Sequence, residues 1–191
     1  MNIDGFYIDV PYFKQDTGYT CGPASLQMVF AFYGIQESEA GLTRELRTNT
    51  DIGTKHKRLI DAVSKRGLFS YVNENAPLSE LRALLADSLP IIVHYREVGQ
   101  DDGHYSVVVG LDEKNIYLHD PWHGPKFSIA IEDFEERWLC GPEGYCARWL
   151  MAISDEPFQI GKQYFPRWAF CCFINTRPLL LDVIGIHFWY T

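Results

Sequence analysis

The first strong pattern along the chain is a segment, residues 24–33, in which almost every residue is apolar or small. Pro23 suits the first turn of a helix, and Gly34 suits its C-terminal stop. A helix that is apolar on nearly all sides packs in the interior of a protein. The pattern therefore predicts a central buried helix that begins near Cys21.

The remaining patterns place helices mainly in the first half of the chain and strands mainly in the second. Amphipathic periodicity predicts helices at residues 37–47, 54–66 and 78–87. Apolar or alternating runs predict strands at residues 68–72, 91–95, 104–111, 115–120, 126–131 and 148–153. Residues 1–20 are expected to be extended. Because this order lacks regular βαβ units, it favours an α+β fold with the central helix packed on an antiparallel sheet.

The C-terminal segment, residues 157–191, has a different character. It is rich in aromatic residues, contains a single acid, Asp182, and shows no helical or alternating period. An additional packed layer, a partner-binding extension and a sequence foreign to the domain are all compatible with this composition. We therefore expect one domain over residues 1–156, followed by an extension over 157–191 of unknown role.

Composition and charge narrow the classes of partner. The chain has 191 residues and a net charge of −8, whereas nucleic acids and anionic membranes require a basic surface. The apolar segment 168–190 is interrupted by Arg177, Pro178 and Asp182, so no membrane-spanning helix is expected. The N-terminal residues lack the basic and apolar pattern of a signal peptide, which favours a cytoplasmic location, with secretion as the alternative.

The cysteines do not form a pattern typical of metal sites. There are five cysteines, so at least one has no partner within the chain. Cys140 and Cys146 could form a disulfide in an oxidising compartment, and Cys171 and Cys172 are adjacent. No zinc-site spacing is present, and we expect neither a metal nor an organic cofactor.

Cys21 is the first candidate for chemistry. It lies at the predicted helix start, where unpaired backbone N–H groups stabilise a thiolate, the nucleophile required to cleave a peptide or thioester bond. The alternative is a free cysteine packed in the core. Gln15, six residues upstream, carries an amide that could stabilise an oxyanion together with the Cys21 N–H. Its alternative is a glutamine in a polar surface loop.

His104 and Asp120 are the second pair of candidates. His104 begins one predicted strand and could act as a general base, while Asp120 ends the next strand and could orient it. The alternatives are a core histidine and a turn aspartate. If Leu111 pairs with Asn115, the two side chains lie on one face, but if it pairs with Ile116, Asp120 points away. A His–Asp pair therefore requires the first register or a β-bulge.

Four short motifs occur together in one order: VPYFKQ at residues 10–15, CGPAS at 21–25, GHYSVVVG at 103–110 and DPW at 120–122. The combination resembles the bacteriocin-processing, double-glycine cysteine peptidases, a papain-like family, over about residues 8–153. The resemblance implies a papain-like cysteine peptidase fold, with Cys21 as nucleophile, His104 as base, Asp120 as orienting residue and Gln15 as oxyanion donor. It also implies a peptide or protein substrate, cut through an acyl-enzyme after small residues such as Gly.

Two alternatives to hydrolysis remain open at this point. The acyl-enzyme could pass to an amine, which would make the protein an acyltransferase or transpeptidase. The fold could also serve as a catalytically inactive peptide-binding module. The oligomeric state is open as well.

Several other residues are interpreted as structural. The tripeptide CGP recurs at residues 140–142, but no long apolar helix follows it. His119 has the opposite parity to Asp120 along the strand and is expected to be structural, and His123 is a second choice for substrate contact. The cluster of basic residues at 56–58 and 65–66, which includes His56, is expected to be a solvated helix face.

Overall fold

The computed structural model describes residues 5–99, 102–138, 147–158 and 163–164. Its helices are α1 (Cys21–Phe32), α2 (Glu39–Leu46), α3 (His56–Lys65), α4 (Leu78–Ala86) and α5 (Ile131–Trp138). Its strands are β1 (Phe6–Tyr7), β2 (Phe69–Asn73), β3 (Ile91–Arg96), β4 (Gly103–Leu111), β5 (Asn115–Asp120), β6 (Gly124–Ala130), β7 (Leu150–Ser154) and β8 (Gln163–Tyr164).

The strands form one antiparallel sheet in the order β6-β5-β4-β3-β7-β2-β8, with β1 paired to the end of β4. The sheet lies mostly in the second half of the chain, and four of the five described helices precede β3. The predicted α+β class with an antiparallel sheet is confirmed. Strands β3, β4 and β5, which carry the candidate residues, are neighbours in this order.

Helix α1 is the central helix that the apolar pattern predicts. Nine of its 12 residues are buried, and it packs against β4 and α2. Gly34 follows the helix at φ 73°, a conformation that glycine adopts without strain, and its N–H donates to the Ala31 carbonyl at 3.0 Å. The helix therefore ends where the sequence predicts, and its other end lies against the sheet.

Two elements of the fold were not among those predicted. Residues 131–138 form helix α5, where the sequence pattern predicts none, so that β6 ends at Ala130 and the chain then turns into a helix. Phe134 and Trp138 from this helix are fully buried. The N-terminal segment, predicted as extended, contains the short strand β1, which pairs with β4.

The described part of the predicted extension lies at the edge of the sheet. Strand β8 pairs with β2, and the ring of Phe158 packs on Tyr71 at a centroid distance of 5.8 Å. The predictions for Cys140, Cys146, Cys171, Cys172 and the segment 168–190 lie outside the described residues. Within the described ranges, no helix has the length and apolar character needed to cross a membrane.

Candidate active site

Cys21 is the first residue of α1, and the side chain that precedes it does not cap this end of the helix. The hydroxyl of Thr20 donates to the Thr17 carbonyl at 3.2 Å and makes no capping bond to the helix. No acidic side chain lies in the first turn. Since the N–H groups of a first turn have no partner within the helix, this end stabilises an anion such as a thiolate. Cys21 is a free thiol and is 8% exposed.

His104 is the second residue of β4, and its ring connects Cys21 with Asp120. Its Nε2 lies 3.1 Å from both carboxylate oxygens of Asp120. The Cys21 side chain also acts on this ring, in the direction that favours its protonated form. Burial alone would lower the pKa of His104. The hydrogen bond to Asp120, the interaction with Cys21 and the negative charge of Asp120 outweigh burial and raise that pKa to about 10. The imidazolium form is therefore favoured.

Asp120 ends β5 as a fully buried carboxylate that accepts hydrogen bonds from several groups besides His104. These donors are the Tyr95 hydroxyl (2.6 Å), the Ser106 hydroxyl (2.9 Å) and the backbone N–H groups of Trp122 and His123 (2.8 Å each). Burial alone would raise the pKa of Asp120, but the His104 contact, the Tyr95 hydroxyl and the His123 N–H hold it well below its usual value. The group is a fixed anion.

A β-bulge in β4 brings His104 and Asp120 to the same face. Next to the turn, Leu111 pairs with Ile116, which is the register that would point Asp120 away. The register then shifts between Val108 and Gly110, so that the rest of β4 follows the alternative register. The extra residue reverses the orientation of everything beyond it. The β-bulge therefore provides the arrangement that a His104–Asp120 pair requires.

Gln15 lies next to the turn that follows Asp120. Its backbone N–H donates to the Pro121 carbonyl at 3.0 Å, and its side-chain amide donates to the Thr17 carbonyl. The neighbouring Asp16 N–H is bound by both carboxylate oxygens of Glu39, at 3.0 and 3.1 Å. Gln15 is 6% exposed, so the alternative of a surface glutamine is wrong. A primary amide has two N–H bonds, and Thr17 takes one of them.

Tyr95 and Ser106 contact Asp120, and Glu39 binds the backbone next to Gln15, but none of the three was assigned a role from the sequence. Tyr95 pairs directly with His104 across β3 and β4, and therefore shares its face. The sequence does contain a signal for the N–H donors of residues 122 and 123, since an aspartate before proline favours a turn in which its carboxylate accepts hydrogen bonds from the following N–H groups. Glu39 had no such signal, because it lies far from Asp16 in sequence.

His119 and His123 make contacts of other kinds. The ring of His119 hydrogen-bonds with the Val10 carbonyl at 2.9 Å through Nε2 and accepts from the Lys126 N–H at 3.2 Å through Nδ1. Both ring nitrogens therefore hydrogen-bond with backbone groups, which agrees with the interpretation of His119 as a structural residue. The ring of His123 contacts the Glu97 carboxylate and stacks near Phe127 at 4.5 Å.

The interpretation of His56 as part of a solvated helix face is wrong. Its ring stacks on Trp149 at a centroid distance of 4.0 Å and hydrogen-bonds with His94 at 2.8 Å. His94 in turn stacks on Tyr105 at 4.2 Å. Because His94 and Tyr105 are cross-strand partners next to the Tyr95–His104 pair, they lie on the opposite face of the sheet. Burial lowers the pKa of His56 to about 4 and that of His94 to about 3.

The described residues contain no group of three or more His, Cys, Asp or Glu side chains arranged to hold a metal ion. The chemistry that the described cluster offers comes from the thiol, the imidazole and the carboxylate. These side chains come from α1, β4 and β5. The His104 ring is acted on by Cys21 and hydrogen-bonds with the buried Asp120 carboxylate.

The fold is that of the C39 papain-like peptidase domains. It matches a putative C39-like peptidase from Bacillus anthracis with a TM-score of 0.68, at 15% identity, over 81% of this chain and all of that one. It matches a double glycine motif protease from an AMS/PCAT transporter, solved with its leader peptide, with a TM-score of 0.61, at 20% identity, over 78% of this chain and 93% of that one.

Residues 7–140 match the model of the Peptidase_C39 like family, and the chain belongs to that family. The resemblance to double-glycine peptidases is thereby confirmed. The chain is 34% identical over 128 residues to the transport/processing ATP-binding protein ComA of Streptococcus pneumoniae, covering 62% of this chain and 16% of ComA. It is 32% identical over 124 residues to an uncharacterized protein of Methanothermobacter marburgensis, covering 65% of this chain and 80% of that protein.

Proposed function

We propose that the protein is a cysteine peptidase in which Cys21, His104 and Asp120 form the catalytic triad. The observation that carries the proposal is the series of side chains from the Cys21 thiol, at the start of α1, through the His104 ring that it acts on to the buried Asp120 carboxylate, which hydrogen-bonds with that ring. The series supplies a nucleophile, an acid and base, and a group that holds the imidazole in one orientation.

The groups act in a defined order. The Cys21 thiolate attacks the carbonyl carbon of the scissile peptide bond, and the carbonyl oxygen becomes an oxyanion. The His104 imidazolium then gives its proton to the leaving amine as the C–N bond breaks, which leaves an acyl-enzyme. Neutral His104 next takes a proton from water, whose oxygen attacks the thioester and releases the carboxylic acid and the thiolate. Asp120 stays ionised throughout and stabilises the imidazolium.

Gln15 is proposed as the oxyanion donor, together with the backbone N–H of Cys21. Its position beside Pro121 supports this role, because the residue is buried and close to the turn that follows Asp120. The bonds from Asp16 to Glu39 restrain the adjoining backbone. A donor held in place before the reaction costs no reorganisation when the oxyanion forms.

The proposed substrate is a peptide or protein cleaved after a small residue, with Gly-Gly as the preferred sequence before the scissile bond. Support comes from the double glycine motif protease that shares this fold and was solved in complex with its leader peptide. Glycine presents no side chain, so a narrow cleft next to the thiol would accept it and reject a branched residue.

The test is a cleavage assay with two matched peptides that differ only in carrying Gly-Gly or Val-Val before the scissile bond. We expect the native protein to cleave the first peptide, and Cys21→Ala to reduce kcat by at least about 1,000-fold. Cys140→Ala is the control and should retain the native rate. Activity that persists in Cys21→Ala would remove the assignment of the nucleophile, and equal cleavage of both peptides would remove the glycine preference.

A further inference from the structure

The two oxygens of the Asp120 carboxylate are held by different kinds of donor. Oδ1 accepts two backbone N–H groups from the turn at residues 122–123, each at 2.8 Å. Oδ2 accepts two side-chain hydroxyls, Tyr95 at 2.6 Å and Ser106 at 2.9 Å. The backbone donors are available in any sequence that forms this turn. The hydroxyl donors depend on the residues that β3 and β4 carry.

From this arrangement we propose that Tyr95 and Ser106 are positioning residues, which hold Oδ2 of Asp120 so that the carboxylate stays ionised and faces His104. The proposal rests on the proposed peptidase function, because it gives these hydroxyls a role only if the Asp120–His104 pair serves catalysis. Both hydroxyls donate to the Asp120 carboxylate, so both residues act on His104 through that carboxylate.

The geometry explains why both hydroxyls are needed. His104 Nε2 lies 3.1 Å from each oxygen, so it bonds symmetrically and does not by itself fix the rotation of the carboxylate. With Oδ1 held by the turn and Oδ2 held by the sheet, the carboxylate plane is fixed from both sides. The hydroxyl oxygens of Tyr95 and Ser106 also lie 3.4 Å apart, and both side chains are on the same face of β3 and β4 as His104.

Burial makes these donors important for the charge as well. Asp120, Tyr95 and Ser106 have no exposed surface, so solvent water does not contribute to stabilising the anion there. An unsolvated carboxylate becomes neutral unless hydrogen bonds and a positive charge compensate for the lost hydration. Removal of the two hydroxyls leaves Oδ2 with His104 as its side-chain donor. The carboxylate is then protonated more readily, and the imidazolium loses its counter-ion at acidic pH.

Other titratable groups interact electrostatically with Asp120, His104 or Tyr95. These groups are Tyr12, Cys21, His94 and Glu97. None of them is altered by the substitutions chosen below.

The test compares Tyr95→Phe, Ser106→Ala and the double variant with the native protein. Both substitutions delete a hydroxyl and keep the rest of the side chain, so the packing of the ring is retained. Tyr33→Phe is the matched control, because the Tyr33 hydroxyl donates to the Ile153 carbonyl at 2.7 Å, near the opposite end of α1 from Cys21. The measurement is the rate at which iodoacetamide alkylates Cys21 between pH 4 and 9, followed by mass spectrometry of the peptide that contains Cys21.

The native protein should show rapid alkylation at mildly acidic pH, as expected of a thiolate–imidazolium pair. In the double variant we expect the acidic limb of this profile to move up by about one pH unit, with a roughly tenfold slower reaction at pH 5. The single variants should show smaller shifts in the same direction. Tyr33→Phe should lower the urea midpoint of unfolding and leave the profile unchanged.

The possible failures are distinct. A folded double variant with the native profile overturns the positioning role, whereas a native profile like that of a free thiol, rising only at alkaline pH, overturns the proposed function itself. If the double variant does not fold, the single variants decide, and a native profile in both of them overturns the proposal. A profile shift in Tyr33→Phe as large as in Tyr95→Phe also overturns it, because the effect would then be general.

Discussion

Replacement of Gly22 by alanine is a direct test of how the start of α1 is held against the rest of the protein. A Cβ atom at this position would lie 2.5 Å from Thr54 Oγ1 and 2.7 Å from Thr54 Cβ. Thr54 is fixed from two sides, since its hydroxyl hydrogen-bonds with Thr48 at 2.7 Å and its carbonyl accepts from the Tyr105 hydroxyl at 2.8 Å. The added methyl group therefore displaces either Thr54 or the helix start that carries Cys21.

The magnitude follows from opposing contributions to the free energy of unfolding. Alanine in place of glycine stabilises a helix by about 1 kcal/mol. Overpacking of a core position costs about 1–3 kcal/mol, and loss of the two hydrogen bonds of Thr54 costs about 1 kcal/mol each. We therefore expect Gly22→Ala to lower the free energy of unfolding by about 2–4 kcal/mol. A shift of the Cys21 sulfur by about 1 Å would also slow the proposed peptide cleavage about 100-fold.

Urea unfolding and the rate of peptide cleavage measure these two effects. The matched experiment is a double-mutant cycle with Thr54→Gly, which removes the atoms that the new methyl group would contact. In that background Gly22→Ala should stabilise the protein by about 1 kcal/mol, giving a coupling energy of about 3–5 kcal/mol. If Gly22→Ala stabilises the native protein as it would an exposed helix, the reasoning about Thr54 is wrong.

Three further predictions concern the site, the histidines and the extension. Asp120→Asn keeps the shape but removes the charge opposite His104. We expect alkylation of Cys21 at pH 6 to fall at least about 100-fold, since loss of one partner of a buried ion pair costs about 3–5 kcal/mol; an unchanged rate would contradict the role of the charge. His56 and His94 have lowered pKa values, so between about pH 6.5 and 4 the unfolded chain binds protons that the folded chain does not. Stability measured by urea unfolding should therefore fall on acidification from pH 7 to 5, with a smaller fall in His56→Gln, whereas equal slopes would argue against this origin. A chain that ends at Glu156 loses β8, at the far edge of the sheet from β4 and β5, and should show a lower Tm with unchanged alkylation of Cys21; faster alkylation would indicate that the extension covers the site.

Much of the fold could be predicted because its patterns are local. The apolar run after Pro23 and the stop at Gly34 define α1 within a few residues. The strands around His104 and Asp120 were predicted with nearly their observed bounds, since apolar runs bounded by turn residues are typical of strands. Helix α5 was missed although Ile131, Phe134 and Trp138 follow helical spacing, because the strand pattern before it runs directly into its first residue.

The candidate site could be predicted only in part, because register is not a local property. The sequence allowed two pairings of β4 with β5, and the structure contains both, joined by a bulge at Val109. The carbonyl of Val109 accepts from the Ile8 N–H at 2.9 Å, so a segment about 100 residues away takes up a group in the bulge. No pattern within residues 103–120 could have shown that partner.

The amino-acid sequence alone determined the residue types and their order: a cysteine at the start of a buried helix, an upstream glutamine, and a histidine and an aspartate on successive strands. These follow from periodicity and turn chemistry, which act over a few residues. Only the tertiary structure decided which groups surround each of them, such as Tyr95 and Ser106 on Asp120 and Trp149 on His56. Those contacts join helices and strands that are distant in the chain, and their distances are set by how the sheet and the helices pack.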